Sequence, residues 1–215
     1  MIVLEKKFND VSKFFCKLYD KIEELLQPNT AARQIIKLNE TINMKSQKEK
    51  YTHVEELLSA LFCAYNETTN QGFGDACGIL GDKFKLLVEI NEKKDFQMRI
   101  EVMNKINYIK KSEITEIQKQ IKKHNKHRLE FDSIRMKKDM QKEIETAKSK
   151  YQATKITCYN MLVEFLDNSQ KQHTEILLKF CQILNEYYTH SMEVNQDAAT
   201  AIGAIINDLS SKNPT

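Results

Sequence analysis

The sequence predicts an all-α fold, a long antiparallel bundle of three helices with coiled-coil packing. Turn-forming residues are scarce: the 215 residues include five glycines and two prolines, too few for the turns of a sheet fold. Charged residues make up 29% of the chain and hydrophobic residues 41%, a mixture typical of exposed helices with narrow apolar stripes. Apolar residues also recur in alternating steps of four and three, which keeps one helix face against a partner helix.

The first helix is predicted over about residues 3–27. Its apolar stripe consists of Leu4, Phe8, Val11, Phe15, Leu18, Ile22 and Leu25. Pro28 ends the helix, because proline has no backbone N–H and disfavours helical geometry in the residue before it. Residues 29–51 are polar and rich in lysine. They fit either a short amphipathic insert lying on a surface or an ordinary connection between helices, and the sequence leaves both open.

The second helix is predicted over about residues 52–136, with Thr52 as its N-cap and Glu55 at the capping-box position. A glycine cluster near its start either breaks the helix or lets two helices approach closely; it consists of Gly72, Gly74, Gly78 and Gly81. The third helix is predicted over about residues 140–209. Neither glycine nor proline lies between Ser133 and Lys142, so a short turn there makes the two helices antiparallel neighbours within one domain, residues 1–215.

Helices of this length cannot bury all of their apolar residues within one chain. Aromatic and apolar residues at both ends of the set indicate that a second copy packs there, so we expect a homodimer. The candidate interface residues are Phe14, Phe15, Phe180, Ile183 and Tyr187.

Positive charge is concentrated where the stripe of the second helix fades. Residues 119–142 contain nine basic and three acidic residues, a net charge of +6, although the whole chain carries only +3. Anionic lipid headgroups attract such clusters. A solvated helix face is the other interpretation of a charge run. Nucleic acid is disfavoured, because the cluster lacks interleaved aromatic residues and matches no DNA-binding motif.

Four stretches in register resemble the endophilin-type BAR-domain family. They are Leu26-Gln27-Pro28-Asn29 followed by Ala31-Ala32-Arg33, then Gly72-Phe73-Gly74-Asp75-Ala76, then Arg128-Leu129-Glu130-Phe131-Asp132, and finally Tyr159-Asn160-Met161-Leu162-Val163-Glu164. The resemblance implies a crescent-shaped homodimer that binds anionic, curved membranes and bends or senses them in endocytosis or vesicle trafficking. By position, the membrane-binding residues it implies are Arg135, Lys137, Lys138 and Lys142 at the arm tip, Lys119, Lys122, Lys123 and Lys126 on the concave face, and Lys45 and Lys48 in the insert.

The family usually has an amphipathic helix before the first core helix and a C-terminal peptide-binding domain. Within these 215 residues only Met1 to Leu4 precede the apolar stripe, the tip loop is shorter than usual, and no peptide-binding domain is included. We therefore expect scaffolding by shape and charge to outweigh insertion of an N-terminal wedge.

Enzymatic, metal-binding and cofactor motifs are absent from the sequence. His124 and His127 have a spacing that can hold zinc, but the sequence supplies no third ligand nearby and flanking lysines repel a cation. The five cysteines form no CxxC pair, which indicates reduced thiols. With neither a signal peptide nor a membrane span, the sequence predicts a cytoplasmic, peripheral membrane protein without enzymatic activity or cofactor. The alternative function is a coiled-coil scaffold that dimerises and binds proteins without membrane contact.

Overall fold

The computed structural model describes residues 1–27, 53–66, 72–137 and 140–212, so the insert expected over about 29–51 lies outside the described residues. All regular structure in the described residues is helical, which confirms the all-α class. In chain order the α-helices are α1 (Ile2–Leu26), α2 (Val54–Asn66), α3 (Phe73–Gln97), α4 (Asn104–Tyr108), α5 (Thr115–Ile134), α6 (Gln141–Val163) and α7 (Gln170–Lys212).

Three π-helical segments join some of these helices. They are Met98–Met103, Ile109–Ile114 and Glu164–Asn168. In the last of them, the backbone N–H and the hydroxyl of Ser169 both donate to the carbonyl oxygen of Glu164, each at 3.0 Å. Each π turn adds a residue to the helical repeat and so shifts the apolar stripe to a new register. The heptad spacing of the sequence did not predict these segments.

The chain divides into two compact units, and the first comprises Met1–Glu23 and Glu101–Leu178. Its three helical stretches pack side by side. The Phe8 ring meets the Phe165 ring edge-on with centroids 5.3 Å apart, and the Phe15 ring meets the His173 ring at 4.9 Å. Between α5 and α6, the side-chain amide of Gln120 donates to the carbonyl oxygen of Thr154 at 3.5 Å. Nearer the turn between these helices, the Phe131 ring stacks on the Tyr151 ring, so α5 and α6 run antiparallel within this unit, as predicted.

The core of the first unit follows the spacing of the α1 stripe. Phe8 is fully buried and Phe15 is 2% exposed, while Phe165 from the facing π-helical segment is 3% exposed. Burying a large apolar side chain contributes about 1.5–3 kcal/mol, so this aromatic cluster is a main source of stability. The apolar stripe predicted for α1 therefore contains Phe8 and Phe15, which are among the most deeply buried residues of this helix.

The second unit comprises Glu24–Ile100 and Lys179–Thr215, where these are described. Here α2 folds back antiparallel onto α3: His53, just before α2, lies 3.9 Å from the Asp95 carboxylate near the end of α3, whereas Asn66 at the end of α2 lies beside Gly78 near the start of α3. Between these ends, the Ser59 hydroxyl donates to the carbonyl oxygen of Gly81 at 2.8 Å. The second half of α7 joins α3 through ion pairs, including Lys83 Nζ to the Asp197 carboxylate at 3.2 Å.

The α2–α3 hairpin differs from the single helix expected over about 52–136. Gly72 has a φ of 94°, a left-handed conformation that glycine adopts without steric cost, and α3 begins at the next residue. Gly81 lies where α2 crosses closely, so a Cβ added there would be 2.6 Å from Cys63 Sγ. Of the two roles that the sequence allowed, Gly81 fills the close approach of two helices, while Gly72 marks the start of α3.

Replacing Gly81 with alanine is expected to destabilise the protein by about 1–3 kcal/mol, because the new methyl group overpacks the crossing of α2 and α3. Besides Cys63 Sγ, it would lie 3.2 Å from the Cys63 backbone nitrogen, which cannot rotate away. Gly203→Ala is the matched control: nothing lies within 4 Å of its added Cβ, so the helix gains roughly 0.5–1 kcal/mol. Urea titration of helicity measures both, and equal midpoints for the two variants would contradict this account.

The residues expected at a dimer interface differ in accessibility. Phe15 and Ile183 are each 2% exposed in the single chain, so their side chains already belong to its own core. Phe180 and Tyr187 are half-buried, and Phe14 is 46% exposed. Among these five positions, only Phe14, Phe180 and Tyr187 have side-chain surface left for a second copy.

Candidate membrane-binding surface

The α5–α6 hairpin of the first unit carries most of the residues expected to meet a membrane. The Tyr151 ring of α6 lies between two rings of α5, stacking on His124 at 5.4 Å and on Phe131 at 5.8 Å. Ile117 of α5 and Cys158 of α6 are 4% and 0% exposed. This packing fixes which side of α5 faces its partners and therefore which side faces solvent.

Four lysines occupy the side of α5 opposite its buried residues. Lys119, Lys122, Lys123 and Lys126 are all exposed, whereas Ile117 and His124 are buried. With 3.6 residues per turn, the spacings of three and four among these lysines keep them on one broad face. The structure therefore brings together all four residues that the family resemblance assigned to the concave face.

Acidic neighbours engage only part of this basic face. Lys119 pairs with Glu116 at 3.4 Å and Lys126 with Glu130 at 3.9 Å, both within α5 and both solvent-exposed. Exposed pairs of this kind contribute about 0–1 kcal/mol, so an anionic ligand can compete for either lysine. In the described parts of the chain, neither Lys122 nor Lys123 is within ion-pair distance of an acidic residue.

The tip of the hairpin lies between the end of α5 at Ile134 and the start of α6 at Gln141. Arg135, Lys137 and Lys142 are exposed there. The Arg135 guanidinium pairs with Asp132 at 3.4 Å, and the backbone N–H of Lys137 donates to the carbonyl oxygen of Ile134 at 2.9 Å. Three more residues expected at the membrane lie outside the described residues: Lys45, Lys48 and Lys138.

Further exposed residues on the hairpin were not among those expected. Lys148, Lys150 and Lys155 extend the positive charge along α6. Two apolar side chains between the last turns of α5 and the hairpin tip are also exposed, Leu129 at 63% and Met136 at 84%. Helical spacing could have identified Leu129, because it falls outside the buried stripe of α5, whereas Met136 lies two residues beyond the end of that helix at Ile134.

His124 holds the hairpin together as a neutral ring. It is 4% exposed, and its Nδ1 has no hydrogen-bond partner within the described residues. Burial lowers the pKa of His124, and the nearby positive charges of Arg128 and Lys155 lower it further, although Glu5 opposes them. Burial likewise lowers the pKa of His173. These side chains are suited to stacking, and no group of three or more candidate metal ligands occurs in the described residues.

Acidification is expected to destabilise the protein through His124. Its folded-state pKa lies below the unfolded value of about 6.5, so the unfolded chain binds the proton more readily. The contribution of the neutral His124 ring to folding stability is complete above that unfolded pKa and is lost as the pH falls below it. The variant His124→Phe keeps an aromatic ring but cannot titrate, so its thermal midpoint should fall less than that of the original chain between pH 7.5 and pH 6. If the thermal midpoints of the two proteins fell equally between pH 7.5 and pH 6, this role of His124 would be refuted.

None of the described helices contains an apolar stretch long enough to cross a membrane.

Comparison of the sequence with known proteins shows which family the chain belongs to. The chain is 25% identical to mouse Endophilin-A3 over 218 residues, which cover 98% of the chain and 62% of the relative. It is 24% identical to human Endophilin-A1, over 97% of the chain and 61% of the relative, and 24% identical to chicken Endophilin-A2, over 97% and 59%. The chain thus spans about three fifths of the length of these relatives. The family model of the BAR domain matches residues 2–203, and the chain therefore belongs to the BAR-domain family.

Proposed function

We propose that this BAR domain binds membranes containing anionic lipids through the basic face of α5 and the α5–α6 tip, and that it senses or generates curvature during endocytosis or vesicle traffic. The observation that carries the proposal is the separation of charge from core on α5. Lys119, Lys122, Lys123 and Lys126 are exposed on one side, and the buried ring of His124 fixes the other side against α6. The endophilin relatives support the assignment to membrane traffic.

Electrostatic attraction supplies the binding energy in this mechanism. Each lysine or arginine near an anionic bilayer contributes roughly 1 kcal/mol, and the attraction falls off within a Debye length of about 10 Å at 0.1 M salt. Because residues 119–142 carry a net charge of +6, a membrane would draw this end of the first unit towards it. Binding should therefore require anionic lipid and weaken as salt increases.

A homodimer strengthens such binding, because two tips on one assembly bind with avidity. The outer side of α2 offers an apolar surface for a second copy: no residue of α2 is buried, and Leu57, Leu61 and Tyr65 are 62%, 50% and 51% exposed. Membership of the BAR family, whose members dimerise, favours a second copy of this chain as the occupant. The module acts in this proposal by shape and charge, without catalysing a reaction.

Vesicle co-sedimentation tests the proposal. The purified chain should sediment with vesicles of equal parts phosphatidylserine and phosphatidylcholine, remain in the supernatant with phosphatidylcholine alone, and be released progressively between 0.1 M and 0.5 M salt. Light scattering should give twice the monomer mass of 25.2 kDa. A dimer indifferent to both kinds of vesicle would instead favour the protein-binding scaffold, and a monomer at micromolar concentration would contradict both functions.

A further inference from the structure

The tip of the α5–α6 hairpin carries exposed apolar surface as well as charge. Met136 is 84% exposed and lies between Arg135 and Lys137, while Leu129, seven residues earlier, is 63% exposed. Leu129 lies near the end of α5, and Met136 lies in the turn two residues after the helix ends at Ile134. A surface that met only water and lipid phosphates would gain nothing from apolar groups at these positions.

The charges around the two side chains indicate what could cover them. Arg128, Arg135 and Lys137 are their nearest cationic neighbours in the sequence, and all three are exposed. The acidic residues of the same stretch are engaged locally: Glu130 pairs with Lys126 within α5 at 3.9 Å, and Asp132 pairs with Arg135, just past the end of α5, at 3.4 Å. An apolar group surrounded by cations complements the boundary of a bilayer, where anionic headgroups overlie hydrocarbon.

We infer, on the basis of the function proposed above, that Met136 and Leu129 insert into the headgroup–acyl boundary of the anionic membrane. The tip then anchors the domain through apolar contacts as well as attracting it to the membrane through charge. Methionine is unbranched and flexible, which suits entry among lipid chains. The neighbouring arginine and lysine side chains are long enough to keep their charges at phosphate depth while the apolar atoms go deeper. This insertion is local to the hairpin tip and needs no amphipathic helix.

Fluorescence provides a direct test, because the chain contains no tryptophan. Met136→Trp introduces a single reporter at the tip. Its emission should shift to the blue on vesicles of equal parts phosphatidylserine and phosphatidylcholine, and lipids brominated on the acyl chains should quench it. Met192→Trp is the matched control, since Met192 is 66% exposed on α7. Its emission should stay unchanged on the same vesicles.

Binding measurements provide the second arm. The double variant Leu129→Gln with Met136→Gln keeps every charge, yet it should bind these vesicles about tenfold more weakly and be released at lower salt than the original chain. Met192→Gln should bind like the original chain. Binding without a blue shift at position 136, or equal shifts at positions 136 and 192, would overturn the insertion while leaving the proposed function standing. Absence of binding by the original chain would instead overturn the proposed function itself.

Discussion

Replacing Lys122, Lys126, Lys137 and Lys142 with glutamate is expected to reduce binding to anionic vesicles by about three orders of magnitude. Each lysine near an anionic surface contributes roughly 1 kcal/mol, so losing four costs about 4 kcal/mol, and every tenfold change in affinity corresponds to about 1.4 kcal/mol. The introduced carboxylates add repulsion. Co-sedimentation across a range of lipid concentrations measures the effect, which should diminish in high salt.

The variant should keep its fold, because all four side chains are exposed. Among the residues that the structure describes, the ion pair it loses is that between Lys126 and Glu130, which is itself exposed and contributes little. Helicity and thermal midpoint should therefore match those of the original chain.

A control with the same change in net charge separates surface from total charge. It carries glutamate at four exposed lysines away from the hairpin tip, namely Lys7, Lys13, Lys17 and Lys171. This control should retain most of the binding. If both variants lost binding equally, the total charge of the chain, and not the α5–α6 surface, would be responsible.

The α5 surface could be predicted because charge and burial both follow the helical repeat. Once Ile117 and the residue seven positions later are taken as the buried stripe, the lysines at 119, 122, 123 and 126 must lie on the other side. The role of the second buried residue, at position 124, was less apparent from the sequence. His124 is packed there as a neutral stacking ring, an arrangement that depends on Tyr151 of the antiparallel α6.

Features that depend on contacts between distant helices were beyond the sequence. The steps of four and three place Leu25 on the stripe of α1, yet Leu25 is 44% exposed and the adjacent Leu26 is 3% exposed. The glycine cluster had two possible roles, and contacts between distant residues, such as the approach of Cys63 to Gly81, were needed to show that α2 folds back. The π-helical segments have no sequence signature, because they change the register of a stripe that still looks regular.

Replacing Phe165 with alanine is expected to lower the free energy of unfolding by about 3–5 kcal/mol. Removing a buried phenylalanine loses its transfer free energy and leaves a cavity that the neighbours fill only partly. Phe165 is 3% exposed and packs edge-on against Phe8 at 5.3 Å and against His173 at 5.0 Å. The loss is a large fraction of the 5–15 kcal/mol typical of a folded domain.

Urea titration of helicity at fixed protein concentration measures this loss, since dimerisation would make the midpoint depend on concentration. Phe96→Ala is the matched control: the same atoms are removed from a ring that is 66% exposed, so the free energy of unfolding should change by no more than about 0.5 kcal/mol. Equal losses in the two variants would mean that the ring cluster of Phe8, Phe165 and His173 is not the core of the first unit. A large loss confined to Phe165→Ala would tie the stability of the three-helix packing to the π-helical segment that carries this ring.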